Sequence, residues 1–423
     1  MVTSLLYNLL IAVLHLYLEP SKERAVPSKR DKDIFDLGSK IVIALEYLDS
    51  LKCVWVVSIL VKKALRFDLS KVENGYEFFI GLAFVFFSTG LSFKISKKSL
   101  GYSKGAINTK NYGHIIQYQS VDSLHHLCAG SWDQVAEYDE DLIAQSCKRG
   151  HIQYIIGVIW SNGVIKIEQG RFNEVKGSIN KLKEIWEDYE NLDTKIAIDT
   201  LEAQLSLKSH DLFECLPNMD GAIDFAGLSG FSPHQFFILS IKARIQILLK
   251  DMDGAKESLS QAGHIYQNQQ YLMNWYLIDY LMAQFELTTK NLQEKVLSKD
   301  KNQMLKYRKA AYKSGLAVKK ILMRKYAVGR VEYFKLTGHF YWIIGRQKKA
   351  LEWWHKCIVE GKNLGARADL ARTYMELGRR LLEPESKYKE FHGFKADHYL
   401  EKAKAMFQEM DLLWDLDELA KLN

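Results

Sequence analysis

Apolar residues recur every three or four positions through most of the chain, which is the spacing of amphipathic helices. The stretch from Gly338 to Gly361 shows this pattern most clearly. An aromatic run at residues 340–344 leads into Gly345 and Arg346, and a second apolar stripe follows at Ala350, Leu351, Trp353, Trp354, Cys357 and Ile358. Two amphipathic helices that fold back at a glycine form a helical hairpin. The pattern therefore predicts a hairpin with its turn at Gly345.

Similar turns recur along the chain at a constant spacing. Six of them lie 40 residues apart, at Gly90-Leu91, Gly130-Ser131, Gly170-Arg171, His210-Asp211, Lys250-Asp251 and Lys290-Asn291. Glycine favours the left-handed conformation that ends many helices, and Asp211, Asp251 and Asn291 are predicted to cap the helices that follow. Paired helices at such a period predict a solenoid, in which stacked neighbours bury the faces that one hairpin leaves open. Coincidental spacing in an α-helical bundle is the alternative.

The scarcity of helix breakers sets the fold class. Only 5 prolines occur in 423 residues, and β-branched runs between Asn-Gly or Asp-Gly turns are almost absent. The fold class is therefore predicted to be all-α. We expect N-terminal helices and a linker at 1–66, helical repeats of about 40 residues at 67–290, and C-terminal helical repeats with a long basic helix at 291–423.

Several segments resemble a known family. The sequence Gly345-Arg-Gln-Lys-Lys-Ala-Leu-Glu-Trp-Trp-His-Lys-Cys resembles a tetratricopeptide turn, with Ala350 at the small packing position, and Gly170-Arg-Phe-Asn-Glu-Val is similar, with Val175 there. Residues 366–382 and 399–416 resemble a C-terminus that recurs in the tetratricopeptide-like region of large bacterial signalling ATPases.

This resemblance implies a tetratricopeptide-like helical-hairpin solenoid wound as a right-handed superhelix. In that family the region follows a regulatory ATPase module, often joined to a class III nucleotidyl cyclase or a protein kinase domain. Those catalytic domains do not occur in this sequence. The chain is therefore expected to be either a stand-alone helical protein or the C-terminal portion of a longer one.

The sequence contains no recognisable catalytic motif. There is no phosphate-binding GxxxxGK[ST] loop, since Gly361-Lys362 is followed by Asn363, and there is no HExxH or GxSxG. His125 and His126 point about 100° apart on a helix, so they and Cys128 do not make a zinc site with four ligands. We expect no enzymatic activity, no cofactor and no metal.

Two other clusters are interpreted as structural. The acidic run Glu137, Asp139, Glu140 and Asp141 is predicted to lie on the solvated face of a helix after Trp132. Large aromatic side chains dominate core burial, so Trp342, Trp353 and Trp354 are expected to pack between helices.

One basic stretch stands above this background. Residues 301–331 contain ten Lys or Arg and no Asp or Glu. Five of the cations share one helical face and are the candidate partner-binding residues: Lys306, Lys309, Lys313, Lys320 and Arg324. Such a face can dock on an acidic protein surface, an anionic membrane or a nucleic acid. A solvated face without a partner is the commoner arrangement of charged residues.

Residues 2–18 carry no charge and are rich in Leu, Ile, Val and Tyr. Thr3, Ser4, Asn8 and His15 interrupt the run, which is shorter than the about 20 apolar residues that span a bilayer. A buried solenoid helix is therefore expected in preference to a membrane-inserted one. Five scattered cysteines without a CxxC pair fit a cytoplasmic location.

These observations predict a non-enzymatic helical-repeat scaffold that binds a partner protein on its concave surface. By resemblance, the partner would be an ATPase or nucleotidyl-cyclase domain that the chain regulates. The alternative is a regulatory solenoid that senses a small molecule for a transcriptional or second-messenger system. A membrane tether through residues 2–18 is a third hypothesis, and the net charge of +7 does not favour a nucleic acid partner.

Overall fold

The chain forms α-helices almost throughout the part that the structure describes. The computed structural model describes residues 2–18, 25–48, 50–68, 75–212, 215–269, 272–322 and 326–422. The twenty helices there are α1 (Val2–Leu18), α2 (Lys29–Leu48), α3 (Ser50–Ala64), α4 (Tyr76–Ser88), α5 (Phe93–Ala106), α6 (Tyr112–Ala129), α7 (Glu140–Cys147), α8 (Ile152–Glu168), α9 (Phe172–Tyr189), α10 (Leu192–Ser209), α11 (Cys215–Ser229), α12 (Ser232–Leu248), α13 (Met252–Asn268), α14 (Leu277–Leu297), α15 (Lys301–Leu322), α16 (Arg330–Ile343), α17 (Gln347–Leu364), α18 (Arg367–Leu382), α19 (Ala396–Glu409) and α20 (Leu413–Ala420).

The all-α class is confirmed, and adjacent helices pack in pairs as a hairpin array requires. A short antiparallel hairpin of strands β1 (Glu390–Phe391) and β2 (Phe394–Lys395) is an addition that the sequence did not predict. The right-handed superhelix and the tetratricopeptide identity stay predictions.

Six predicted turns are confirmed. At each of them a residue with φ between 61° and 84° follows a helix, namely Gly90, Gly130, Gly170, His210, Lys250 and Gly345. The predicted cap at Asp251 is also confirmed, because its Oδ1 accepts a hydrogen bond from the backbone N–H of Gly254 at 3.0 Å. The predicted cap at Asp211 adjoins residues 213–214, which lie outside the described residues.

The turn predicted at Lys290-Asn291 is wrong, because α14 continues through it to Leu297. Neither residue is a glycine or proline, and Leu292 is buried on the same helix, so nothing there ends it. The chain turns instead at Lys299, which has φ of 55°. Asp300 then caps α15 by accepting a hydrogen bond from the backbone N–H of Gln303 at 3.1 Å.

The predicted acidic helix face after Trp132 is wrong in part. Only a single 3-10 turn, Trp132–Gln134, follows Trp132, and α7 begins at Glu140. Asp139 is the N-cap of α7, since its Oδ1 accepts hydrogen bonds from the backbone N–H groups of Asp141 and Leu142 at 2.8 and 3.3 Å. A carboxylate satisfies the unpaired N–H donors at the start of a helix. Asp139 therefore caps α7 and does not lie on a solvated helix face.

The chain divides into two compact units. Unit 1 comprises Met1–Ala129 and Val135–Val158, and unit 2 comprises Gly130–Gln134 and Ile159–Asn423. The region boundaries predicted after residues 66 and 290 stay predictions.

In unit 1, helices α1 to α4 share an apolar core. Its buried members are Leu9, Ala12, Leu16, Phe35, Leu60, Val61, Ala64, Leu65, Phe78, Phe79, Leu82, Val85 and Phe86. Helix α1 is buried on one side only, because Leu6, Leu10 and Leu14 remain exposed. The expectation of a buried helix at residues 2–18 therefore holds for one face of α1. Among the described helices, none is long and apolar enough to cross a membrane.

In unit 2, the hairpin of α16 and α17 shows why its sequence pattern was so clear. Trp354 is fully buried, and its indole lies over Gly338, where an added Cβ would be 2.4 Å from the ring nitrogen. The rings of Trp342 and Trp354 are 5.6 Å apart, so the predicted aromatic packing is confirmed for this pair. Ala350, at the predicted small packing position, is also fully buried.

Candidate partner-binding surface and buried charge network

The basic residues singled out in the sequence lie on α15, which packs against α14. The buried side of α15 consists of Ala311, Gly315, Val318 and Leu322. Four candidate partner-binding residues are exposed, namely Lys306, Lys309, Lys313 and Lys320. At 100° per residue they fall within a sector of about 60°, opposite the buried side. The fifth candidate, Arg324, lies outside the described residues.

A row of large apolar side chains borders these lysines. Leu305 is 61% exposed, Tyr312 is 52% exposed, and Leu316 lies one turn further on, also exposed. The two rows together form the α15 surface, which comprises Leu305, Lys306, Lys309, Tyr312, Lys313, Leu316 and Lys320. This apolar row was not predicted from the sequence. Its signal was the spacing of seven and four residues, which places these side chains about 70° from the lysines.

The hairpin of α14 and α15 supports this surface. An added Cβ on Gly315 would lie 3.0 Å from the ring of Phe285, so the backbone of α15 approaches α14 closely. Side chains on a packed helix keep their relative positions better than side chains on a loop. The α15 surface is thus presented in a fixed arrangement.

A second feature of unit 2 is a buried charge network, and Lys208 on α10 lies at its centre. The Lys208 Nζ is 2.6 Å from Asp369 Oδ2, 3.0 Å from Glu332 Oε2 and 3.4 Å from Glu168 Oε1. Lys335 reaches the other oxygen of Asp369 at 2.9 Å. One ammonium group therefore connects α8, α10, α16 and α18.

Arg244 on α12 extends the network. Its guanidinium lies 2.5 Å from Asp279, 3.0 Å from Glu286 and 2.5 Å from Glu332. Two of these carboxylates are on α14, and the third also binds Lys208. Planar guanidinium groups suit such multiple carboxylate contacts.

Arg372 on α18 connects the network to the last helix. It donates to both oxygens of Asp415 at 2.8 and 2.7 Å and to the backbone carbonyl of Lys208 at 2.8 Å. His210 Nδ1 lies 3.3 Å from Asp415 Oδ2. Arg372 on α18 and Asp415 on α20 thereby contact the C-terminal end of α10, at the Lys208 carbonyl and at the C-cap residue His210.

The carboxylates of the network differ in how readily they ionise. Burial raises the pKa of Glu168 to about 7, and the attraction of Lys208 only partly opposes this effect. The pKa of Asp369 lies well below its ordinary value despite burial, because Lys208, Lys335 and Arg372 surround it. Glu168 is the most distant of the three carboxylates around Lys208 and is therefore the least stabilised as an anion.

This arrangement joins distant helices through paired charges. The cavity beside Lys208 measures about 20 Å³, which is room for one water molecule. It is too small for a substrate, and the carboxylates around it face cations. The network was not predicted from the sequence, because charged residues on a helix normally face solvent.

The paired histidines of unit 1 are packed. His125 Nδ1 lies 2.9 Å from Ser96 Oγ, and the imidazole makes edge contacts with the rings of Phe87 and Phe93. Burial lowers the pKa of His125 to about 4. Within the described residues, no group of three or more His, Cys, Asp or Glu side chains is arranged to hold a metal ion.

A cleft of about 380 Å³ lies between α9, α10 and α11. Its apolar lining includes Ile179, Ala203 and Met219, and its polar lining includes Lys183 and Asp199. Asp199 is buried, and its Oδ2 lies 3.5 Å from His234 Nε2. The volume falls within the range of small-molecule sites.

Comparison with known proteins leaves the family open. No known protein family matches the chain, and no curated protein matches it either.

Proposed function

We propose that this protein is a non-enzymatic helical-repeat scaffold that binds a partner protein through the α15 surface. The observation that carries the proposal is the exposure of Leu305, Tyr312 and Leu316 beside four lysines that share one face of α15. Basic side chains favour an acidic partner, and exposed apolar side chains gain free energy when that partner covers them. The occupant is therefore an acidic amphipathic helix of the partner protein.

The resemblance to signalling ATPases suggests which class of protein the partner belongs to. A tetratricopeptide-like module of that family would act as the regulatory arm of an ATPase or nucleotidyl-cyclase protein. The partner helix would then belong to such a protein, and its docking on α15 would couple the scaffold to the catalytic domain. Co-purification of a phosphate-loop ATPase or class III cyclase with the wild-type chain tests this part.

The docking surface is tested by charge reversal. A synthetic helical peptide with leucines on one face and glutamates on the other serves as the probe, and fluorescence anisotropy measures its affinity. The variant Lys306→Glu/Lys309→Glu/Lys313→Glu/Lys320→Glu should weaken binding by about 100-fold or more, because four attractions become repulsions. Raising the salt concentration should weaken binding of the wild-type chain, since ions screen exposed charges.

The matched control reverses four other exposed lysines of unit 2. The variant Lys348→Glu/Lys387→Glu/Lys395→Glu/Lys404→Glu changes the net charge by the same amount. It should leave the affinity for the peptide within about threefold of wild type, because the α15 surface keeps its own lysines. Equal loss of affinity in the two variants would show a nonspecific charge effect and exclude the α15 surface as the docking site.

The small-molecule sensor remains a second candidate because of the cleft between α9 and α11. A ligand that occupies this cleft would add its mass to the purified protein in native mass spectrometry. Ser206→Trp, which fills the cleft from a half-exposed position, would displace it. A bound mass that this variant loses, together with no binding of the acidic peptide, would favour the sensor over the scaffold.

A further inference from the structure

Helix α1 of unit 1 is apolar on both of its sides. Its buried side packs Leu9, Ala12 and Leu16 into the core. Its opposite side exposes Leu6, Tyr7, Leu10, Leu14 and Tyr17, with exposed fractions between 42% and 61%. A surface helix normally turns charged or polar side chains outward, and a helix that is apolar all round is normally covered. The exposed side of α1 therefore indicates a surface that something covers.

This exposed stripe runs along about two thirds of the helix. From Leu6 to Tyr17 it extends for about 16 Å at the rise of an α-helix. The helix contains no Asp, Glu, Lys or Arg, so no fixed charge within α1 opposes contact with an apolar phase. Because α1 is not long and apolar enough to span a bilayer, the stripe suits a helix that lies along a surface.

The helices that pack against α1 are basic. Helix α3 contains Lys52, Lys62 and Lys63, helix α5 contains Lys94, Lys97, Lys98 and Lys104, and neither contains an acidic residue. The nearby helix α2, which packs on α3, carries equal numbers of acidic and basic residues. Helices α1, α3 and α5 therefore combine an apolar stripe with seven lysines and no carboxylate side chain of their own, and one of these lysines, Lys63, lies 3.1 Å from Asp31 of α2.

Two of these lysines lie at the two ends of the stripe. The Lys62 Nζ is 4.4 Å from the ring centre of Tyr7, and the Lys98 Nζ is 4.0 Å from the ring centre of Tyr17. Tyrosine rings favour the boundary between lipid chains and headgroups, and lysines beside them can reach lipid phosphates. The apolar side chains between the two ends can enter the upper part of the acyl chains.

We propose that unit 1 binds the surface of an anionic membrane through α1, with Leu6, Leu10 and Leu14 inserted and Lys62 and Lys98 against the headgroups. A second copy of the chain is a poorer occupant, because pairing two such stripes brings Lys62 and Lys98 of both copies together, and α1, α3 and α5 contain no acidic residue to oppose them. An anionic lipid surface supplies the opposite charge. Membrane binding goes beyond the scaffold function and places that function at a lipid surface.

The test is cosedimentation of the full chain with vesicles made of equal parts phosphatidylcholine and phosphatidylserine. The wild-type chain should sediment with these vesicles and much less with pure phosphatidylcholine. Leu6→Ser/Leu10→Ser/Leu14→Ser should lower the partition coefficient by about tenfold or more, since three apolar side chains no longer enter the lipid. Lys62→Gln/Lys98→Gln should lower it by about tenfold for the anionic vesicles only.

A matched control distinguishes vesicle binding through α1 from binding through any exposed leucine. Leu228, Leu297 and Leu413 of unit 2 are 90%, 74% and 72% exposed, so their triple change to Ser removes the same atoms from a more exposed place. This control should bind vesicles as the wild-type chain does. Circular dichroism should show unchanged helix content in all three variants, because the replaced side chains are at the surface.

Three results would overturn the proposal. The first is absence of the wild-type chain from the anionic vesicle pellet. The second is equal vesicle binding by the wild-type chain and the Leu6→Ser/Leu10→Ser/Leu14→Ser variant. The third is a concentration-dependent dimer that this variant abolishes, without vesicle binding, which would identify a second copy as the occupant. Binding of the acidic peptide at α15 is measured separately, so failure of one proposal leaves the other intact.

Discussion

At the scale of single residues, Glu168 is the carboxylate of the charge network that ionises least readily. Lys208 lies closer to Asp369 and Glu332 than to Glu168, and burial disfavours the anion. The pKa of Glu168 is therefore raised to about 7 in the folded protein, whereas a glutamate in the unfolded chain has its ordinary pKa of about 4.3. Between these two values the folded state binds more protons at this position than the unfolded state.

Glu168→Gln should remove a pH dependence of stability. Because the folded state holds the extra proton, the wild-type protein should lose unfolding free energy as pH rises from 5 to 7, by at most about 1.4 kcal/mol per pH unit from this group. The loss should be complete above the folded pKa. Urea unfolding of wild type and Glu168→Gln at several pH values measures the difference, in which the common contributions of other groups cancel to first order.

Glu202→Gln on α10 is the matched control for this comparison. Its carboxylate is partly exposed and lies 2.8 Å from Lys183. A partly exposed pair contributes less than about 1 kcal/mol, so this difference in unfolding free energy should stay small at every pH. A Glu168→Gln difference that does not change between pH 5 and 7 would contradict the assignment of a proton to Glu168.

The burial of these charged residues could not be predicted from the sequence. Glu168, Lys208 and Asp369 each look like a polar residue on the outer face of a helix, and no local pattern marks them as buried. Their burial depends on contacts between distant residues, such as Lys208 and Asp369, which are 161 positions apart. The exposed lysines of α15 could be predicted, because their spacing alone places them on one face of a helix.

At the scale of elements, Gly338 sets the distance between α16 and α17. The Trp354 indole occupies the place of a side chain at this position and donates a hydrogen bond to the backbone carbonyl of Lys335 at 3.2 Å. A glycine inside a helix normally costs about 1 kcal/mol relative to alanine. Here the close contact with the indole offsets that cost.

Gly338→Ala should therefore destabilise the protein although alanine is the better helix former. The added Cβ would lie 2.4 Å from the indole nitrogen, so the two helices must separate, at a cost of about 1–3 kcal/mol. Gly177→Ala on α9 is the matched control, since its Cβ would meet nothing within 4 Å and should stabilise by about 0.5–1 kcal/mol. Urea unfolding of both variants measures the two changes. Equal stabilisation by both would contradict the packing described at Gly338.

The elements themselves were largely predictable from sequence. Glycines that end helices gave the turns at Gly90, Gly130, Gly170 and Gly345, because left-handed backbone at a helix end is a local requirement. The extrapolated turn at Lys290 failed because constant spacing is not itself a force that ends a helix. A helix continues where apolar burial persists and no breaker occurs, as at Leu292.

At the scale of the whole molecule, the two compact units differ in what joins their helices. Unit 1 uses the apolar core of α1 to α4, whereas unit 2 adds ion pairs that join helices distant in sequence. In a linear repeat array each repeat contacts only its neighbours, so end repeats can open alone. The contacts of α10 with α18 and α20 depart from that behaviour, and we expect these helices of unit 2 to open together.

Asp415→Asn tests this coupling across unit 2. It removes the negative charge that binds the Arg372 guanidinium, and this guanidinium also donates a hydrogen bond to the Lys208 carbonyl. The loss of stabilisation at α20 should therefore extend to α10. Hydrogen exchange of backbone amides in α10 and α18 should become about tenfold faster or more, because breaking a buried ion pair is costly. Asp417→Asn on the same helix, where the side chain is exposed, should leave α10 unchanged. If Asp415→Asn accelerates exchange in α20 alone, the last helix opens independently, and the network does not couple the distant helices of unit 2.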